Sequence, residues 1–241
     1  MELFEKGNMG TVRKQGAYIS KTRPFNIFTI KRFLKYLEEK SDFTPYYIRH
    51  DTKEITLSYV EGETIHTELS QISYEHKMEM IKSSAKLLKK FHHLSEQFER
   101  LEEDLFYLNY EGFLEKDVIC HNDFAPYNIT FNDYKAVGII DFDTICPAPR
   151  EWDLAYVMYR FILIDPTLEP SYDELIELFL NYYNYEKVTN FYPIVSERIQ
   201  SLVNLFDTEI EKGNLAFIKM EKEGHKDFYL REIDRISNLN T

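Results

Sequence analysis

The sequence predicts an α+β fold in two lobes: a small β-rich lobe with one helix over residues 1–60, and a mainly helical lobe over residues 61–241. Three observations lead there. Short β-branched runs bounded by turn residues fill the first lobe and return only around residues 118–140. After Pro149 the apolar residues keep a helical period almost to the end of the chain. Between these regions, Glu61-Gly62 ends a strand-like run with a glycine that permits a sharp change of direction, and the boundary between lobes is placed there. At 241 residues the chain is near the length at which a single core begins to divide.

In chain order, "TVRKQGAYISKTR" has β-formers on both sides of Gln15-Gly16 and reads as a hairpin or bent strand pair. In "FNIFTIKRFLKYLEEK", Ile27, Ile30, Leu34 and Leu37 recur at helical spacing, so one face is apolar and the helix can lie on a small sheet. "YYIRHDTKEITLSYVEGE" reads as two strands around residues 51–53. The second lobe opens with a helix from Ser73 to Leu94, carrying Met78, Ile81, Ala85, Leu88 and Phe91 on one face. "DVIC", "NITF" and "AVGII" are short and β-branched, which suits strands. "EWDLAYVMYRFIL", "SYDELIELFLNYYN", "VSERIQSLVNLF" and "LAFIKMEKEGHKDFYLREIDRI" are helical in pattern.

With 44% hydrophobic and 29% charged residues, the composition is that of a globular chain able to bury a core. A net charge of −12 argues against unspecific binding to nucleic acid or an anionic membrane, and would attract a cationic small molecule. Cys120 and Cys146 lack metal-ligand spacing and read as small buried apolar side chains, compatible with a reducing compartment. The N-terminus has no basic region followed by an apolar core, and no apolar run approaches the roughly 20 residues that span a bilayer. The chain is therefore read as cytoplasmic, with no membrane partner.

Two segments carry chemistry: "ICHNDFAPYNITF" and "AVGIIDFDTICPAPREWDLAYVMYRF". Phosphoryl transfer from a nucleotide needs Mg²⁺ held against the phosphates and a carboxylate beside the attacking hydroxyl. Asp123 follows a strand, Asn128 begins the next, and Asp141 ends a third. A hairpin turning at Asn132-Asp133 would bring Asn128 and Asp141 to one end, the geometry a shared cation requires.

His121-Asn122-Asp123 with Asn128 resembles the H-x-D-x-x-x-x-N catalytic loop, and Asp141-Phe142-Asp143 resembles the metal-binding D-F-G segment, of kinase-like enzymes. The form "HNDFAPYN…IIDFDTICPAPREWDLAYVMYRF" is similar to the phosphotransferase enzyme family, the superfamily of aminoglycoside phosphotransferases and choline kinase. The resemblance implies a bilobal, protein-kinase-like fold with a reduced N-terminal β-lobe. It implies Asp123 as catalytic base, His121 as a brace for its loop, and Asn128 and Asp141 as Mg²⁺ ligands. Asp143, where the protein-kinase segment has glycine, is either a second metal ligand or a cap for the following loop. Asp153 and Trp152 read as a helix start and core packing, and His92 and His93 as structural.

The first lobe has no G-x-G-x-x-G in "GNMGTVRKQGAY". Lys21, with Arg23 as substitute, is the candidate for the lysine that contacts phosphates; the alternative is a solvated charge at a strand end. A partner for it at Glu38 or Glu39 is doubtful, since both fall late in the helix. By analogy, the hinge run "LSYVEGE" would meet the adenine edge through Ser58 and Val60. Acidic residues of the late helices, including Asp153, Glu174 and Glu177, suit an amine-bearing alcohol, or else form a solvated face. The expected activity is ATP- and Mg²⁺-dependent transfer of phosphate to a small-molecule hydroxyl. The alternative is a silent kinase-like module that binds nucleotide without transferring phosphate, and metal-dependent hydrolysis is disfavoured by the lack of a second ligand cluster.

Overall fold

The computed structural model describes residues 2–7, 10–187 and 189–239. Strands β1 (Glu2–Gly7), β2 (Gly10–Gln15), β3 (Tyr18–Thr22), β4 (Tyr47–His50) and β5 (Glu54–Ser58) form one antiparallel sheet in the order β1-β2-β3-β5-β4. Strand β1 was not anticipated from the sequence. Gln15 pairs with Tyr18, so the two-residue turn is Gly16-Ala17, one position later than expected, with Gly16 at φ +60°. Between β4 and β5, Asp51 Oδ1 accepts from the amides of Lys53 at 2.7 Å and Glu54 at 2.9 Å, a side-chain-closed turn. Helix α1 (Ile27–Glu38) buries Ile27, Ile30, Phe33, Leu34 and Leu37, the face its periodicity predicts.

The second lobe opens with α2 (Tyr74–Ser95), capped by Ser73 Oγ, which accepts from the His76 amide. Two small antiparallel pairs follow: β6 (Val118–Cys120) with β9 (Cys146–Ala148), and β7 (Ile129–Asn132) with β8 (Lys135–Ile139). Strand β9 contains Pro147 and escaped the sequence reading. In the second pair Asn132 is opposite Lys135, so the turn is Asp133-Tyr134, with both φ positive as a tight hairpin of this hand requires. The Asn132-Asp133 expectation is off by one because the pairing runs one residue further. Helix α3 (Arg150–Met158) continues into a π turn, Tyr159–Leu163, and α4 (Tyr172–Tyr183), α5 (Phe191–Glu211), α6 (Leu215–Lys222) and α7 (His225–Leu239) complete the lobe. A kink at Gly224, φ +84°, separates α6 from α7.

The lobes share apolar contacts. Phe33 of α1 meets Phe98, Phe91 and Phe142 with ring centroids 4.9, 6.1 and 6.2 Å apart. Each fully buried phenylalanine contributes about 1.5–3 kcal/mol, enough to fix the loop that carries Phe142. A buried ion pair, Lys77 Nζ to Asp165 Oδ2 at 2.5 Å, ties α2 to the segment after the π turn. Cys120 and Cys146 face each other across β6 and β9, buried as thiols, and burial pushes both above their ordinary pKa. No helix among the described residues is long and apolar enough to cross a membrane.

Candidate active site

The loop after β6 turns within two residues, and Asn122 takes φ +64°, a conformation asparagine tolerates better than most side chains. Two buried side chains hold it there. Asp153 of α3 accepts from the His121 amide at 2.7 Å and the Asn122 amide at 2.8 Å, while Arg198 Nη2 of α5 donates to the Asn122 carbonyl at 2.5 Å. Asp153 also meets His92 Nε2 at 3.0 Å. Burial opposes the Asp153 charge, but His92 and the loop donors outweigh it and hold its carboxyl below the usual range. Asp153 is fully enclosed, so it anchors the loop as expected of a helix start and cannot reach an amine-bearing substrate.

His121 is also enclosed. Its Nε2 lies 3.0 Å from the Ile140 carbonyl, to which it must donate, leaving Nδ1 to accept from the Asp123 amide at 3.3 Å. It braces the loop and does not open to a substrate. The carboxylate of Asp123 is gripped from both sides: Oδ1 accepts from Tyr127 at 2.7 Å and Tyr156 at 3.0 Å, and Oδ2 from Asn128 Nδ2 at 2.7 Å.

The β7–β8 register then brings in the second segment. Ile140 N donates to Asn128 O at 2.9 Å, so the residue after Ile140, Asp141, stands beside the Asn128 position. Asp141 itself takes φ +64°. Phe142 is buried against His121 and Phe91, centroids 5.1 and 6.0 Å away, and the two flanking aspartates both meet Lys21. Lys21 Nζ lies 2.6 Å from Asp141 Oδ1 and 2.6 Å from Asp143 Oδ1. Lys21 therefore pairs with these aspartates and not with Glu38 or Glu39. Burial works against its ammonium, but the two carboxylates outweigh it and hold its pKa above the ordinary value. Burial likewise opposes the Asp141 charge, which Lys21 keeps below the usual range, whereas burial and the neighbouring Asp141 push Asp143 up to about 6 against the pull of Lys21. With 48% and 35% of their side chains exposed, Asp141 and Asp143 remain open to a ligand from the cleft. Asn26, at the start of α1, donates to the Asp143 carbonyl at 3.4 Å, which joins this segment to the first lobe.

After β5, Gly62 is required: it has φ +112°, and a Cβ there would stand 2.9 Å from the Phe131 carbonyl oxygen. Val60 is seated against Gly138 of β8, and its amide donates to no described residue. Ser58 departs from the expectation. Its amide donates to the Tyr46 carbonyl at 2.9 Å and its hydroxyl accepts from the Tyr46 amide at 2.7 Å, because the sheet register turns both groups toward the β4 side. Both lie along a groove of about 450 Å³ that also includes Thr44, Tyr46 and Asn132. Glu174 lines a separate groove of about 700 Å³ with Glu169, Asp173 and Tyr192, none of them an Asp123 partner, and Glu177 is exposed on α4. The acidic residues expected to greet an amine therefore do not surround Asp123. Tyr127 and Tyr156 meet it directly, Arg160 and Arg198 lie over the rings of these tyrosines, and the sequence reading singled out none of the four.

Residues 111–188 match the model of the phosphotransferase enzyme family, which bears out the resemblance read from the two motifs. No curated protein matches the chain in sequence. Solved structures similar to it include the gentamicin complex of APH(2")-IIa, at 16% identity and TM-score 0.64, covering 96% of this chain and 89% of that one. The GDP and kanamycin complex of APH(2")-IIia is similar at 12% identity and TM-score 0.65, covering 100% and 93%. Macrolide 2'-phosphotransferase MphH from Brachybacterium faecium is similar at 12% identity and TM-score 0.58, covering 91% and 89%. At such identities the likeness establishes the fold: an α+β, bilobal, kinase-like architecture.

Proposed function

We propose that the chain is a small-molecule kinase, transferring the γ-phosphate of ATP to a hydroxyl with Mg²⁺ as cofactor. The observation that carries this is the convergence of Asp123, Asn128 and the Asp141-Phe142-Asp143 segment through the Asn128–Asp123 and Asn128–Ile140 hydrogen bonds. The family match over the same residues and the nucleotide complexes among similar structures support it.

The donor set fits magnesium. Asn128 Oδ1 and the carboxylates of Asp141 and Asp143 are hard oxygens of the kind this ion takes, and two of them already share a cation, the Lys21 ammonium. When bound, Mg²⁺ would neutralise phosphate charge and orient the nucleotide. The chain's own residues do the rest. Asp123 accepts the proton of the acceptor hydroxyl, and Asn128 fixes one of its oxygens through Nδ2 while offering its own oxygen to the metal. His121 and Asp153 hold the loop backbone. Lys21 serves the phosphates once released from its carboxylates, and the Val60 amide is the hinge donor left for the base edge. Like the Lys21 role, the two-lobe division at residues 60–61 is part of this reading.

The test is Asp123→Asn, assayed for ATP consumption over a panel of small alcohols. Transfer should fall by roughly 10²–10⁴-fold while nucleotide affinity stays within a factor of about two. Undiminished turnover by the variant overturns the assignment of the base. A second reading, the silent nucleotide-binding module, is motivated by the Lys21 clamp on the two aspartates. It predicts stabilisation by Mg-ATP in the wild type with no consumption on any acceptor.

A further inference from the structure

Arg160 sits in the π turn that follows α3. Such turns shift the phase of a helix by one residue and are kept mostly where a side chain must be re-aimed. Its position is four residues beyond Tyr156, whose hydroxyl bonds Asp123 Oδ1 at 3.0 Å. Its guanidinium lies 5.2 Å from the ring centroid of Tyr127, the other phenol on that oxygen, and 5.9 Å from that of Tyr159. Arg160 is therefore one ring away from the oxygen to which a substrate hydroxyl must come.

Arg160 nevertheless has no acceptor. Its Nε is buried without a hydrogen-bond partner, and among the described residues the guanidinium makes neither a hydrogen bond nor an ion pair. Four other enclosed or half-enclosed arginines do meet acceptors, although Arg198 Nε and Arg235 Nη1 are themselves unpartnered. Arg32 bonds Asp104, Arg150 bonds Asp117 at 2.6 Å, Arg198 bonds the Asn122 carbonyl, and Arg235 bonds Glu232 at 2.8 Å. Burial works against the Arg160 charge, and the groups that lie against the guanidinium are the phenol rings of Tyr127 and Tyr159, not a carboxylate. Aromatic faces stack on a guanidinium and leave the edge of its fork for oxygens. In a chain of net charge −12, a cation enclosed by phenols beside the reacting carboxylate marks a place where the ligand supplies the anion.

Accepting the kinase reading, on which the word acceptor depends, we infer that the alcohol taken by this site carries an oxyanion, a carboxylate or a phosphate, and that Arg160 binds it. This reverses the expectation of a cationic substrate drawn from net charge: the acidic residues are spread elsewhere, and the surroundings of Asp123 are aromatic and basic.

Matched skeletons test it: gluconate, glucose and glucosamine; glycerate, glycerol 3-phosphate, glycerol and 2-aminopropane-1,3-diol. Binding to the wild-type chain with Mg²⁺ and a non-hydrolysable ATP analogue is measured by calorimetry. At least one oxyanion should bind roughly 10-fold or more tightly than its neutral counterpart. Glycerate against glycerol 3-phosphate separates the carboxylate from the phosphate. Arg160→Gln should abolish the preference and Arg160→Lys restore part of it, which a purely structural role would not do. Equal or tighter binding of the neutral or amino compounds by the wild type overturns the inference, whatever the folding of the variants, as does an unchanged preference in Arg160→Gln. Asp123→Asn separates this from the kinase reading, since it should lose transfer and keep the oxyanion preference. Transfer to glucosamine indifferent to Arg160 sinks the inference alone, and Arg160-dependent gluconate binding without ATP consumption on any acceptor sinks the kinase reading alone.

Discussion

Arg198 Nη2 lies 2.5 Å from the carbonyl oxygen of Asn122, although the two residues belong to α5 and to the loop after β6. The contact is buried, and the guanidinium also lies over the Tyr156 ring, 4.5 Å from its centroid, so one side chain touches both the loop and the phenol that grips Asp123. Arg198→Met keeps the bulk and removes the donors. It should cost about 1–3 kcal/mol in urea denaturation and lower kcat by roughly 10-fold or more, with the KM for nucleotide little changed. A loss confined to stability would show that the loop keeps its left-handed turn without Arg198.

Lys21 bonds Asp141 and Asp143, the oxygens proposed to hold Mg²⁺, so on that proposal the ammonium and the metal would compete for them. Lys21→Met removes the competitor and leaves two carboxylates facing each other. Mg²⁺ affinity without nucleotide should rise by roughly 10-fold, read by calorimetry, whereas ATP affinity with saturating Mg²⁺ should fall. A parallel loss of both would mean that Lys21 builds the site instead of occupying it.

Lys77 and Asp165 form a different kind of pair, enclosed on both sides. Removing one partner strands a buried charge: Lys77→Ala should cost about 3–5 kcal/mol, measured by denaturant midpoint. The double change Lys77→Met with Asp165→Leu should recover part of that loss, since it strands no buried charge, although the amide and hydroxyl of Thr167 lose their acceptor. If the double variant is as unstable as the single one, the hydroxyl of Thr167 and its amide, which also bond Asp165, carry the site.

What could be read in advance follows from the range of the interactions. The α1 face and the placing of Asn128 and Asp141 at one end of a hairpin were legible because helical period and the return of a short hairpin are local, whereas its register was off by one. Strand β9 was not, because Pro147 argues against a strand and only its pairing with β6 makes it one. The phenols on Asp123 show the limit best. Tyr127 lies four residues from Asp123 inside the quoted motif and could have been suspected, but Tyr156 reaches the same oxygen from 33 residues away, a contact set by helix packing alone. The direction of the Ser58 side chain depends likewise on which neighbour the sheet places beside it, and a sequence of β-formers leaves that open.

Asp153 gives the acid limb of the stability curve. Its carboxyl is held below the usual range by His92 and by the loop amides, against the effect of burial. A carboxylate depressed in the folded state contributes its full stabilisation above its unfolded pKa, near 4, and loses it as pH falls through the lower folded value. Wild-type stability should therefore decline below about pH 5, with this one group adding up to about 1.4 kcal/mol per pH unit. Asp153→Asn cannot accept both loop amides and His92 at once, so it should be less stable at neutral pH and show a shallower decline in acid. Urea midpoints taken from about pH 7 down to about pH 3 read both effects together. An equal acid slope in the variant would assign that limb to other depressed carboxylates, of which Asp165 and Glu151 are the first to examine.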